Sequence, residues 1–398
     1  MTLKYSRISG WGKYVPEKIV TNKELEELID TSDEWITQRT GIKERRVSAD
    51  DQTCSTLAIA AAEKALAVAE LQPTDLDLII VSTTTPDHLA PAVSSLVQHK
   101  LGATCPAFTL VTGCTGFVYG ITTAHQFIAT GAYNHILVIG VEIISRFLNW
   151  EDRNTCVLFG DGAGAVVMSA SDTPTGLKAF DLGSDGEKCM SIAVPGIGSA
   201  QKIDYGTIDR NEHKLIMNGR EVFKFASRIL PASTTQVLEN AGMTIDDIDL
   251  LIPHQANARI IDLAIRRLGI PAEKVYVNLH KYGNTSAASI PLALIEALEE
   301  GRIKEGDHLC LVSFGAGLTW ASAVVQWGQP LGDTAAEIDE SLIWDLNALR
   351  KKMSLASTKM RVKARTLAEE ASYKASTTLL PLYTFGGRKR AKKTKKAK

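Results

Sequence analysis

Six cysteines in 398 residues, at 54, 105, 114, 156, 189 and 310, form no Cys-x-x-Cys pair and lie near no histidine cluster. A disulfide framework or a zinc site is therefore not expected, and a reducing cytoplasm fits. No apolar run is long enough to span a bilayer. The N-terminal Met-Thr-Leu-Lys-Tyr-Ser lacks the apolar core and cleavage pattern of a signal peptide. Gly160, Gly162 and Gly164 miss the spacing of a dinucleotide fingerprint and open onto a strand, so they read as a turn. Net charge is nearly absent, at −1, but it is unevenly spread. From Gly328 onward 16 Lys and Arg face 7 Asp and Glu, a charge of +9, while residues 1–327 carry 28 against 38, a charge of −10. Basic residues confined to one terminus make no nucleic-acid groove, so no specific nucleic-acid partner is expected.

What remains is ordinary globular composition, 45% hydrophobic and 22% charged. Helical patterns cover 22–30, 53–69, 91–101 and 257–268, and apolar strand patterns cover 75–81, 107–111, 135–141 and 162–169. Strands apolar on both faces, alternating with helices, predict an α/β fold with a mainly parallel sheet. Two echoes point to duplicated halves. Asp247-Ile-Asp-Leu-Leu-Ile answers Asp75-Leu-Asp-Leu-Ile-Ile, and Phe314-Gly-Ala-Gly before Ala321-Ser-Ala-Val-Val answers Phe159-Gly-Asp-Gly-Ala-Gly-Ala-Val-Val.

Three turns stand out for chemistry. Cys114 follows the 107–111 strand within Gly113-Cys114-Thr115-Gly116 and precedes a helical pattern through Phe117, Ile121, Ala124 and Ile128. A thiol at a helix N-terminus is expected to have its pKa lowered toward neutrality. His254 lies just beyond a strand, where open α/β sheets build their sites. Asn284 sits in a Gly/Ser/Thr-rich turn that enters another helix. Singly, each has a structural reading as well: a small buried hydrophobe, a histidine bonding its own loop, an asparagine at an N-cap.

Together the blocks Gly113-Cys114-Thr-Gly-Phe, His254-Gln-Ala-Asn257-x-Arg259-Ile and Gly283-Asn284-Thr-Ser-Ala-Ala-Ser resemble those of β-ketoacyl-acyl-carrier-protein synthase III. The resemblance runs from about Tyr5 to Trp327 and includes Thr31-Ser-Asp-Glu-Trp-Ile-x-x-Arg-Thr-Gly-Ile and Gly301-Arg-Ile-Lys. It implies a thiolase-like fold: two duplicated α/β halves with mixed sheets, layered α-β-α-β-α. It also implies a cytoplasmic homodimer that uses acyl-CoA and acyl carrier protein as substrates, without cofactor or metal. Cys114 would be the nucleophile, with His254 and Asn284 as donors to the malonyl thioester. Gly315, Ala316 and Gly317 would form the loop of a second oxyanion hole. Thr31, Trp35, Arg39, Thr40 and Arg153 match positions around the CoA nucleotide, and Phe223 and Asn257 match the pantetheine tunnel. Lys224, Arg259, Arg266 and Arg267 match a basic face that docks the carrier protein. Asparagine at 284 separates this family from chain-elongating synthases, which carry a histidine there, and from thiolases, which rely on a second cysteine.

Some positions depart from the family pattern. Thr112, Gly113 and Thr115 replace alanines, Ala316 replaces a glycine, and Arg220 replaces a frequent asparagine. Ala90 stands where a bulky aromatic often closes the acyl pocket, so longer or branched primers are expected to fit. The stretch Val141-Glu-Ile-Ile-Ser is a candidate dimer interface. The expected division is 1–173 with the cysteine, 174–327 with the histidine and asparagine, and a 328–398 tail. In the tail Ile338, Leu342, Leu346, Leu349 and Met353 recur at helical spacing before a basic, disordered end suited to acidic partners. Two alternatives stay open: a starter enzyme of a polyketide pathway, and a noncatalytic binding protein driven by its tail.

Overall fold

The computed structural model describes residues 4–328, so the expected tail helix and basic end lie outside the described residues. Nine strands form the main sheet: β1 (Tyr5–Tyr14), β2 (Leu78–Ser82), β3 (Ala107–Leu110), β4 (His135–Glu142), β5 (Gly162–Ser171), β6 (Gly176–Ser184), β7 (Leu250–Pro253), β8 (His308–Gly315) and β9 (Thr319–Gln326). The longer helices are α1 (Asp33–Thr40), α2 (Cys54–Val68), α3 (Val93–Leu101), α4 (Gly116–Ala129), α5 (Gly219–Ala241), α6 (Ala258–Leu268) and α7 (Ser289–Glu299). Their starts follow from local chemistry. Ser32 caps α1 through the Trp35 N–H, Thr53 caps α2 through the Thr56 N–H, and Asn257 caps α6 through the Arg259 N–H.

Across the sheet the order is β7-β8-β9-β6-β1-β5-β4-β2-β3. The expected mainly parallel sheet is corrected to a mixed one. β4 runs parallel to β2, and β2 to β3, but β5 is antiparallel to both β1 and β4. In the second half β7 and β8 are parallel, while β9 is antiparallel to both β8 and β6. Apolar periodicity reports burial of both faces and is blind to strand direction, which explains the difference. Within the main sheet the halves meet at one pairing, Ser6 with Gly176.

Each half repeats the same course. β1, β5, β4 and β2 correspond to β6, β9, β8 and β7 in order and direction. Alternate residues of one strand serve two different cores. Leu78 and Ile80 of β2, with Leu250 and Ile252 of β7, face a central layer holding Phe117 and Ile121 of α4 and Ile290 and Leu294 of α7. Ile79 and Val81 face outward onto Leu57, Ala61 and Ala65 of α2. Leu251, Cys310 and Val312 face outward onto Leu230 and Val237 of α5 and Ile260 of α6. The result is five layers, helix-strand-helix-strand-helix, with the central helices largely buried.

Other local expectations change too. The helical pattern at 22–30 yields only Asn22–Glu26, started by a Thr21–Glu24 capping box, before Ser32 starts α1. Strand β6 had no sequence signal of its own. The proposed interface at 141–145 is corrected: Val141, Glu142, Ile143, Ile144 and Ser145 are all buried within the chain itself.

Candidate active site

Two turns that lead into central helices make up the site. In the first half, β3 leads through a 3-10 turn, Gly113–Thr115, into α4, and this turn carries Cys114. In the second, Asn284 precedes the 3-10 turn Ser286–Ala288 that leads into α7. The loop after β8 lies directly on the first corner. A Cβ on Gly315 would stand 2.6 Å from the Cys114 N, and one on Gly113, where φ is +61°, would stand 2.9 Å from the Ala316 N. Only glycine permits that contact. Ser313 Oγ donates to the Cys114 carbonyl at 2.8 Å, and Thr115 Oγ1 donates to the Thr112 carbonyl at 2.7 Å. Thr319 Oγ1 joins the same cluster, 3.1 Å from Thr115 Oγ1 and 3.0 Å from the Ala316 carbonyl.

His254 follows β7 and is 1% exposed. Its ring meets Phe314 edge-on, centroids 5.3 Å apart, next to the Gly315 contact with Cys114. Nδ1 lies 2.5 Å from Ser289 Oγ at the start of α7, while Nε2 is buried and has no partner. Burial lowers the His254 pKa to about 3, so the ring is neutral at working pH. Asn284 is fixed at both ends of its backbone: its N–H donates to the Leu158 carbonyl at 2.8 Å and its carbonyl accepts from the Gly160 N–H at 3.1 Å. Its Oδ1 accepts from the Ser286 N–H at 2.8 Å, which leaves the Nδ2 end for another group. Through these contacts Cys114, His254 and Asn284 share one site.

The thiol expectation is corrected. Desolvation pushes the partly buried Cys114 thiol up to about 12, reinforced by the Glu142 charge. Desolvation here outweighs the helix terminus, and the site's histidine is neutral and supplies no counter-charge.

At the periphery, Trp35 of α1 is flanked by the guanidinium carbons of Arg39 and Arg153, each 5.3 Å from the ring centroid. Arg153 also donates to the Asp30 carbonyl at 2.9 Å. Thr31 Oγ1 is buried without a partner. Thr40 is 3% exposed, and its hydroxyl donates to the Ile36 carbonyl at 2.7 Å and accepts from the Ile42 N–H at 3.0 Å, closing α1. Asn257 is likewise engaged, donating to the Arg39 carbonyl at 3.1 Å while capping α6. A groove of about 740 Å³ is lined by Phe223, Lys224, Arg228, Arg267 and Leu318, among others. Arg259 stacks over Phe223 at 5.7 Å and, like Arg266, is exposed on α6 outside the groove lining. Ala90 is exposed on the loop after β2. Among the described residues no group of three or more His, Cys, Asp or Glu is placed to hold a metal ion.

Residues 108–186 match the family described as 3-oxoacyl-[acyl-carrier-protein] synthase III, and residues 238–327 match its C-terminal part. The β-ketoacyl-[acyl-carrier-protein] synthase III of Caldanaerobacter subterraneus subsp. tengcongensis is 52% identical over 323 residues, 81% of this chain and 98% of that protein. The chain belongs to the β-ketoacyl-acyl-carrier-protein synthase III family. The crystal structure of the synthase III of Thermus thermophilus is 47% identical, covering 81% of this chain and 99% of that one with a TM-score of 0.76. The priming β-ketosynthase of the R1128 polyketide biosynthetic pathway is 35% identical, covering 82% of this chain and 98% of that one, also with a TM-score of 0.76. The synthase III resemblance drawn from three short blocks thus extends through the whole described fold.

Four supporting residues had escaped the sequence reading: Ser286, Ser289, Glu142 and Gln255. Gln255 staples the His254 loop to the approach of Asn284, donating to the Pro253 and Tyr276 carbonyls and accepting from the Asn278 N–H at 2.9 Å. The only signals were a hydroxyl-rich Thr83-Thr84-Thr85 run and the serines after Asn284.

Proposed function

We propose that this synthase III catalyses the decarboxylating condensation of an acyl-CoA primer with malonyl-acyl carrier protein, starting fatty acid synthesis through an acyl-Cys114 intermediate. Cys114 attacks the primer thioester, and its proton leaves with the CoA thiol as the acyl group is retained on sulfur. Malonyl-acyl carrier protein then loses carbon dioxide. The resulting enolate attacks the acyl-Cys carbonyl, the carbon–carbon bond forms, and the Cys114 sulfur departs and is reprotonated. The observation that carries this reading is His254. Nδ1 has the Ser289 hydroxyl as partner and Nε2 has none; in the tautomer where Ser289 donates to Nδ1, the single proton of a neutral ring sits on Nε2. That N–H, with the Asn284 amide, is suited to hold the malonyl thioester oxygen as charge builds during decarboxylation. The Cys114 N–H and an N–H of the 315–317 loop serve the acyl-Cys oxygen in the same way. Mass spectrometry after incubation with acyl-CoA tests the intermediate: a mass gain is expected that Cys114→Ala lacks.

The outer contacts belong to the same proposal. Trp35 and Arg153 clamp the CoA adenine beside Thr31 and Arg39. Arg153 now lies over the ring, so it swings aside to admit the base. Phe223 lines the pantetheine path, and Lys224, Arg259, Arg266 and Arg267 receive the acidic carrier protein. Residues 1–173, 174–327 and 328–398 act as nucleophile half, donor half and accessory tail. A homodimer in the cytoplasm closes through the uncovered edge at β3, where Leu89 and Val111 are 77% and 68% exposed. The tail recruits acidic partners, and truncation at Gly328 is expected to raise KM for malonyl-carrier protein at low salt. A second reading, a polyketide starter enzyme, draws on the 35% identity to the R1128 priming synthase. Comparing acetyl-, isobutyryl- and hexanoyl-CoA separates the two and tests the room at Ala90; strict acetyl preference counts against both the wider pocket and the polyketide reading.

A further inference from the structure

Glu142 is given no catalytic role in the chemistry above, yet it acts on Cys114 through its charge and reaches the Asn284 corner through Ser286. It ends β4, is fully buried, and makes no ion pair among the described residues. A carboxylate placed there is costly unless hydrogen bonds replace its water. The segment after β2 supplies them: Thr83 Oγ1 at 3.1 Å, the Thr84 N–H at 3.0 Å, Thr84 Oγ1 at 2.9 Å and Thr85 Oγ1 at 2.6 Å. One more donor comes from the other half. Ser286 Oγ reaches Oε1 at 3.0 Å. Ser286 is held at φ +50°, a left-handed backbone uncommon for a residue with a side chain. From that conformation its N–H donates to Asn284 Oδ1 at 2.8 Å.

We propose that Glu142 is a positioning residue for decarboxylation: by tethering the Ser286 hydroxyl it holds the backbone that fixes the Asn284 amide, with the Nδ2 end toward the malonyl thioester. The inference rests on the role given to Asn284 above. A buried carboxylate serving only as a structural plug would not act through one particular amide, and this separates the two roles.

The test uses the full-length protein with two assays: Cys114 acylation by acetyl-CoA, followed by mass spectrometry, and carbon dioxide release from malonyl-acyl carrier protein. A wild-type protein inactive in both would remove the Asn284 reading itself, independently of Glu142. Given an active wild type, Glu142→Gln is expected to lower kcat for decarboxylation by about tenfold or more, with KM within about twofold and acylation within about threefold. In an Asn284→Ala background the same change is expected to have no further effect, because the two residues act as one unit. A loss that persists in that background, a loss equal in both half-reactions, or no loss at all overturns the proposal. Should Glu142→Gln not fold, Ser286→Ala removes the tether and keeps the N–H. A decarboxylation loss that disappears in the Asn284→Ala background is then the supporting result, and a persistent one the overturning result.

Discussion

In the first half, strand β4 ends on Glu142; in the second, the equivalent strand β8 ends on Gly315. The equivalence is one of register, since Leu78 of β2 pairs with the second residue of β4 and Leu250 of β7 pairs with the second residue of β8. By the same register His254 occupies the place that Ser82 holds in the first half. The two halves therefore share a scaffold and differ in what they put at its ends. Each strand end also serves the opposite corner. Gly315, bare of side chain, lets its loop lie on the Cys114 turn, whereas Glu142 reaches across to Ser286 beside Asn284. Duplication supplied two turn-to-helix corners, and on the proposed chemistry one provides the nucleophile and the other a pair of donors.

The largest expected effects come from removing either side of that division. Cys114→Ala is expected to abolish acylation and to lower overall condensation by roughly 10⁴-fold or more. Carbon dioxide release from malonyl-carrier protein should survive in part, because the donor corner is intact. His254→Ala and Asn284→Ala should show the reverse pattern, each losing about a hundred- to a thousandfold in decarboxylation while Cys114 still takes up acyl groups. If all three variants lose both half-reactions equally, the halves do not divide the chemistry.

Much of this was legible before any coordinates. The two echoes fall at equivalent places, 75–80 leading into β2 and 247–252 into β7, 159–167 leading into β5 and 314–325 running from the end of β8 into β9, because a repeated fold repeats its buried patterns. The Cys114, His254 and Asn284 corners were readable because turns need particular small and polar residues. Strand direction was not, since a strand buried on both faces reads the same either way up. The thiol pKa was misjudged for a related reason: sequence showed the helix terminus beside Cys114 but not the burial around it. Nor does any spacing mark Glu142, which looks like one polar residue at the end of an apolar run until Thr83, Thr84, Thr85 and Ser286 are seen to converge on it. Thr40 is the opposite case, a motif match whose hydroxyl also bonds its own helix.

The donor corner also carries a pH signature on the acid side. His254 has its folded pKa depressed from 6.5 to about 3 by burial. Between those values the unfolded chain binds a proton that the folded chain does not, so stability falls as pH drops below the unfolded value. The slope is about 1.4 kcal/mol per pH unit for this one group. Thermal melts of wild type and His254→Asn between pH 7 and pH 4 are expected to show the variant losing less stability on acidification. Parallel curves would mean that His254 is not buried in its neutral form.

The smallest effect tests the periphery against the centre. Trp35 is solvent-accessible enough to hold two guanidinium groups at its ring, whereas Thr40, five residues on and part of the same matched motif, is enclosed. Loss of a stacking surface of this kind is worth about 1–2 kcal/mol, so Trp35→Ala is expected to raise KM for acyl-CoA by roughly five- to thirtyfold with decarboxylation of malonyl-carrier protein unchanged. Thr40→Ala should leave KM within about twofold and cost about 1 kcal/mol of stability through its lost hydrogen bonds. Steady-state kinetics beside melting curves separates the pair. A KM effect at Thr40 without a change in stability would return that residue to the ligand, and it would show that α1 opens its C-terminal turn when the nucleotide binds.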